Sequence, residues 1–250
     1  MMRVPRVKIC GLGAPEHAAA AAGAGADFVG LNFVEGVRRR VTVEQAKAIT
    51  AALPPRRERA VEVLSLSGEG LWFQDCAAAL DRLIERGRPL VVGLFADQPL
   101  TLVNAIAEAA DLDLIQLCGD EPGEVCLRLR RPVIRMLRAA PGTDAGALRA
   151  TLEPGTASLC LLDAHVPGER GGTGALADWD VAARLAATLP LMLAGGLNPG
   201  NVGAAIRRVQ PWAVDVSSGV EREGVKDVDL IQDFIRTARS TPVGTVFHGA

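Results

Sequence analysis

The chain has 250 residues, with 27 Lys+Arg against 29 Asp+Glu for a formal net charge of −2, and 49% of its residues are hydrophobic. That balance excludes a basic field for gripping a nucleic-acid backbone, and the apolar content excludes wholesale disorder. No apolar run approaches the roughly 20 residues of a membrane span, and the opening Met1-Met2-Arg3-Val4-Pro5-Arg6 lacks a secretion signal's apolar core, so the expectation is a soluble cytoplasmic protein with neither nucleic-acid nor membrane partners.

In chain order, apolar runs at Arg6–Cys10, Phe28–Phe33, Leu90–Phe95, Leu112–Leu117, Val133–Leu137, Leu159–Asp163, Leu191–Ala194 and Ala213–Ser217 read as strands. Helical segments follow them near 15–24, 43–52, 99–110, 121–130, 143–152, 178–188, 198–208 and 226–238. Capping signals mark several starts: Thr42-x-x-Gln45, Thr143-Asp144, Asp178 and Asn198-Pro199. Continuously apolar strands separated by helices imply a parallel sheet covered by helices. Eight such pairs in this length match an α/β fold of the single (β/α)8 TIM-barrel type. A doubly wound sheet competes, but Gly11-Leu12-Gly13 is followed by Glu16 where its third glycine belongs.

Residues 56–89 exceed the eightfold count. They hold a ninth apolar run, Ala60–Leu66, then an amphipathic helix with Phe73, Cys76, Leu80, Leu83 and Ile84 on one face. They read as an insertion after the second helix, packed on the barrel's outside or extending its rim. The barrel then spans 1–240, and 241–250 reads as a loose C-terminal tail.

Barrel active sites lie at the C-terminal ends of the strands, so the chemistry belongs where each apolar run stops. Three glycine-bearing turns fall there: Gly171-Gly172-Thr173-Gly174, Gly195-Gly196 and Ser217-Ser218-Gly219. Backbone that approaches closely, with N–H groups at strand ends and helix starts, suits a phosphate. Cys10 and Asp163 end the first and sixth runs. A carboxylate there can become a general acid, and a thiol near cations a base. A buried thiol and a capping carboxylate explain the same residues equally well, so chemistry alone leaves their roles open. The five cysteines (Cys10, Cys76, Cys118, Cys126, Cys160) form no CxxC pair, and Cys10 apart they read as buried reduced thiols.

Several pieces together are more specific. They are Val7-Lys8-Ile9-Cys10-Gly11-Leu12, Gly25-Ala26-Asp27-Phe28-Val29-Gly30, Ile115-Gln116-Leu117-Cys118-Gly119-Asp120-Glu121, and Leu162-Asp163 with Gly171-Gly172-Thr173-Gly174. Leu193-Ala194-Gly195-Gly196-Leu197-Asn198-Pro199, Val214-Asp215-Val216-Ser217-Ser218-Gly219-Val220-Glu221 and Gly224-Val225-Lys226-Asp227 complete the set. With these motifs the chain resembles the phosphoribosylanthranilate isomerases of tryptophan biosynthesis, over about residues 5–238 apart from 56–89.

The resemblance implies an Amadori rearrangement of a small phosphorylated substrate, with no metal and no organic cofactor. By position, Asp163 would be the general acid and Cys10 the general base. Gly172, Thr173, Gly174, Gly195, Gly196, Ser217, Ser218 and Gly219 would hold the phosphate, and Asp215 would reach the ribose hydroxyls. Two positions depart from the family pattern. Cys118 stands where a histidine is usual, and Val37-Arg38-Arg39-Arg40-Val41 replaces a Ser-Pro-Arg stretch. Arg39 aligns best with the arginine that meets the anthranilate carboxylate, with Arg38 and Arg40 beside it. The competing readings are an isomerase of another N-ribosyl phosphate and a non-catalytic phosphate-binding barrel. Oligomeric state is not written in the sequence.

Overall fold

Strict alternation within the apolar runs decides which side chains enter the barrel and which meet the helices. The computed structural model describes residues 3–55, 72–87, 89–140, 142–164 and 176–244. Eight parallel strands close into one barrel in chain order: β1 (Arg6–Ile9), β2 (Phe28–Asn32), β3 (Leu90–Phe95), β4 (Leu114–Leu117), β5 (Val133–Ala139), β6 (Leu159–Ala164), β7 (Leu191–Leu193) and β8 (Ala213–Val216). β1 closes the ring by pairing with both β2 and β8. The fold is therefore the TIM barrel expected from the run pattern.

Two apolar clusters follow from the alternation. Phe28, Val92, Leu94, Leu114, Ile134, Met136, Leu159, Leu161 and Met192 fill the interior. Val7, Ile9, Val29, Leu31, Ile115, Leu162, Leu193 and Val214 point outward, against the helices. Lys8, Gln116, Asp163 and Asp215 share the parity of the interior set. Each polar interior residue thus sits one position before the strand's C-terminal end.

The helices are α1 (Pro15–Gly23), α2 (Val43–Ala51), α3 (Trp72–Arg86), α4 (Leu100–Ala109), α5 (Ala145–Ala150), α6 (Trp179–Ala186), α7 (Val202–Val209) and α8 (Val228–Arg239). Thr42 and Gln45 form the expected capping box on α2, and Asp144 and Asp178 cap α5 and α6. Asn198 does not cap α7; Asn201 stands at that position, and the two residues shape the preceding turn. Between β4 and β5 the expected helix is a 3-10 segment, Gly123–Arg128, which Pro122 precedes. Among the described residues no helix is long and apolar enough to cross a membrane.

Of the 56–89 segment, residues 56–71 and 88 lie outside the described residues, and the Ala60–Leu66 run lies with them. Helix α3 neither extends the active-site rim nor lies along the barrel's side. It crosses the N-terminal mouth of the barrel. Trp72 Nε1 donates to Ala157 O just before β6 (2.6 Å), and Gln74 donates to Thr188 O before β7 (3.4 Å). Asp81 accepts from Arg6 at the start of β1 (2.7 Å) and from Trp212 before β8 (3.4 Å). Cys76, Ala77, Leu80 and Leu83 pack with Phe28, Leu90 and Trp212 in the interior cluster. The helix is the floor of the barrel.

Residues 241–244 also differ from the loose tail expected. Val243 is buried and pairs with Arg3 across backbone bonds of 3.3 and 2.8 Å. Residues 245–250 lie outside the described residues.

Candidate active site

A cavity of about 550 Å³ opens at the C-terminal ends of the strands. Cys10, Arg39, Cys118, Asp163, Gly195, Gly196, Asp215, Ser217, Ser218 and Gly219 all line it. Gly172, Thr173 and Gly174 lie outside the described residues.

Cys10 is pinned at the end of β1. Its N–H donates to Val216 O (2.8 Å), and the next residue donates to Gly30 O (2.9 Å). Gly30 makes room for it, since a Cβ there would stand 2.8 Å from the Cys10 sulfur. Burial pushes the Cys10 thiol above its ordinary pKa and outweighs the opposing pull of Lys8. The expected cations are present, but burial outweighs them.

Lys8 is fully buried, and its Nζ donates to Asp215 Oδ1 at 3.0 Å. Burial works against its charge, but Asp215 and Cys10 more than compensate and hold its pKa above the ordinary lysine range. Asp163 enters from β6, three strands from β1 around the ring. Burial pushes its carboxyl up to about 6, against a backbone hydrogen bond from Ala164 N (2.8 Å), with Asp215 adding to the rise. A carboxyl with that value is poised to give up a proton near neutral pH.

The loops after β7 and β8 meet backbone to backbone. A Cβ on Gly219 would lie 1.8 Å from Leu197 O, so only glycine allows the approach. Asn201 braces the β7 loop: its side chain donates to Gly196 O (2.9 Å) and accepts from Asn198 N (2.8 Å).

The other end of the cavity has an apolar wall of Val34, Val37, Leu94 and Met136, with Arg38 and Arg39 above it. Arg39 makes a bidentate pair with Glu221, Nε to Oε1 at 2.6 Å and Nη2 to Oε2 at 2.9 Å. Arg40 points elsewhere, toward Glu35 at 3.8 Å. Cys118 is buried beneath this end, accepts from Gln116 Nε2 (3.3 Å), and is pushed up to about 12 by burial. With that value it stays a neutral thiol in the cavity wall. Among the described residues, Gln116 Oε1 is buried without a hydrogen-bond partner.

Sequence reasoning did not single out Lys8, Gln116 or Glu221. For Lys8 and Gln116 a signal was present: each is a polar residue inside a run whose neighbours two positions away face inward. Glu221 carried no such mark.

An acid, a thiol and glycine-rich loops converging on the strand ends of a closed β/α barrel define an enzyme of the acid–base class. The family model described as N-(5'phosphoribosyl)anthranilate (PRA) isomerase matches residues 75–237. The chain is 40% identical over 254 residues to a multifunctional tryptophan biosynthesis protein of Phycomyces blakesleeanus, covering 95% of this chain and 33% of that protein. It is 41% identical to an N-(5'-phosphoribosyl)anthranilate isomerase of Roseiflexus sp. strain RS-1, covering 94% of this chain and 97% of that one. A solved phosphoribosyl anthranilate isomerase in complex with reduced 1-(o-carboxyphenylamino)-1-deoxyribulose 5-phosphate superimposes with a TM-score of 0.70 at 30% identity, over 94% of this chain and 98% of its own. The chain thus spans one third of the multifunctional relative and nearly all of the Roseiflexus one. It belongs to the phosphoribosylanthranilate isomerase family.

Proposed function

We propose that this chain catalyses the Amadori rearrangement of N-(5-phosphoribosyl)anthranilate to 1-(2-carboxyphenylamino)-1-deoxyribulose 5-phosphate, with Asp163 and Cys10 as the proton-transfer pair. Asp163 gives its proton to the furanose ring oxygen as the C1′–O bond breaks, and the anilino nitrogen's lone pair forms the iminium. The Cys10 thiolate then removes the C2′ proton, and the resulting enolamine tautomerises to the ketone. No proton is gained or lost overall. Each transfer supplies about 10²–10⁴-fold.

What carries this reading is the convergence of Cys10 and Asp163, from β1 and β6, on one cavity. The loops at Gly195-Gly196 and Ser217-Gly219 are assigned to the phosphate, and the family resemblance assigns Gly172, Thr173 and Gly174 to it as well. Asp215 is assigned to the ribose hydroxyls, and Arg39 over the apolar wall to the anthranilate carboxylate. The substrate is a soluble phosphorylated metabolite, which fits a cytoplasmic enzyme.

The test is turnover of freshly made phosphoribosylanthranilate, followed by loss of its anthranilate fluorescence. Saturable loss is the expected result. Binding of the phosphorylated ligand without turnover would make the barrel a sensor instead.

A further inference from the structure

Glu221 opens the short hairpin β9 (Glu221–Arg222) and β10 (Val225–Lys226), directly after the β8 loop that bears Ser217-Ser218-Gly219. Its side chain is only 5% exposed, and three cations enclose it. Arg39 holds both oxygens, Lys226 Nζ reaches Oε1 at 2.8 Å, and Arg38 Nη2 reaches Oε2 at 2.9 Å. Burial alone would raise the carboxyl, but Arg39 and Lys226 overcome it and bring the pKa down to about 2. The group is an anion at every working pH. Three cations against one carboxylate leave the cluster with a surplus of two positive charges at the cavity rim.

Two geometric details give the cluster a purpose. Glu221 engages the Nε–Nη2 edge of Arg39, which leaves the Nη1–Nη2 edge of the same planar fork for a second carboxylate. Lys226 uses a second of its three donors on Ser217 O at 2.8 Å, inside the loop assigned to the phosphate. Glu221 therefore touches Arg39 at one end directly and reaches the Ser217 loop at the other only through Lys226.

We infer that Glu221 is a positioning residue: anchored by Lys226, which itself bonds Ser217 O, it aims Arg39 at the substrate's carboxylate at a set separation from the phosphate end. This rests on the isomerase reading above. The cluster selects ligands that carry a carboxylate and a phosphate at that fixed separation. A long guanidinium left untethered would lose much of its entropic advantage in binding.

The test compares Glu221→Gln with the unaltered protein, using two inert product analogues: reduced carboxyphenylamino-deoxyribulose phosphate and its counterpart lacking the ring carboxylate. Glu221→Gln should weaken the first by about tenfold or more, the scale of one charge-assisted contact, and leave the second within about threefold. In turnover, KM should rise far more than kcat falls. Glu221→Asp keeps the charge and should recover part of the loss; it also stands in if the glutamine variant does not fold. In combination with Arg39→Ala the two losses should not add. Equal weakening of both analogues would mean a merely structural role. Tighter binding of the carboxylated analogue would mean that Glu221 competes with the substrate for Arg39. Either result overturns the inference, as do additive losses. Failure of the unaltered protein to turn over phosphoribosylanthranilate would instead overturn the isomerase reading.

Discussion

Lys8 and Asp215, partners in the β1–β8 register, join Nζ to Oδ1 at 3.0 Å inside the barrel, with Cys10 two residues along the same inward face. An ion pair in an apolar interior costs more in lost hydration than a well-packed apolar pair would. In the proposed mechanism its value lies in charge delivered where protons move. Lys8 opposes the rise in the Cys10 thiol, and Asp215 adds to the rise in Asp163.

Removing one partner strands the other. Lys8→Met should destabilise the fold by about 3–5 kcal/mol, the scale for an uncompensated buried charge. Lys8→Met with Asp215→Asn should recover most of that stability without recovering turnover. Denaturant midpoints at constant slope check the first statement, and kcat checks the second.

The pH dependence has a defined form. The proposed mechanism needs Asp163 protonated and Cys10 ionised, yet Asp163 is pushed up to only about 6 while Cys10 lies above the ordinary thiol range. The competent form is a minority species whose fraction is level between the two values. Below about 6 the thiolate declines about tenfold per unit while protonated Asp163 no longer increases, so kcat/KM falls. The acid-side inflection therefore belongs to the acid. In Asp163→Asn that inflection should vanish, and the residual rate should climb with pH up to the Cys10 value. An inflection kept near 6 would assign it to the substrate phosphate, whose second ionisation is close by.

Arg39→Ala should lower kcat/KM about 10–150-fold, mostly through KM, because the contact exists in ground and transition states alike. Arg38 touches the same Glu221 and should show a smaller loss. Arg40, turned toward Glu35, should be silent. Steady-state kinetics on the three alanine variants decide the order.

Helix α3 should act on stability alone. Leu80 is fully buried in the barrel floor, so Leu80→Ala should cost about 2–5 kcal/mol, with kcat unchanged below the melting range. A folded variant with reduced kcat would show that the floor supports the site.

Strand positions were legible because a parallel barrel strand is apolar on both faces, so Leu90-Val91-Val92-Gly93-Leu94-Phe95 reads as one uninterrupted run. Strand-end reading then reached Cys10, Asp163 and the β7 and β8 loops, since the fold always places its site there. Lys8 carried the inward parity of its run, but the partner that makes its charge tolerable, Asp215 on the last strand, meets it only once the barrel closes. Amphipathic spacing exposed the buried face of α3 but could not say what it covers. Glu221 reads as an ordinary surface acid until Arg38, Arg39 and Lys226 fold around it.

The central claim is that Cys10 and Asp163 move the protons, and kcat in Cys10→Ser and Asp163→Asn tests it most directly. Each substitution keeps size and cavity shape but removes a usable base or acid. Each should lower kcat by at least about 10²-fold while affinity for the reduced product analogue persists. Near-native kcat in either variant would remove that residue from the mechanism.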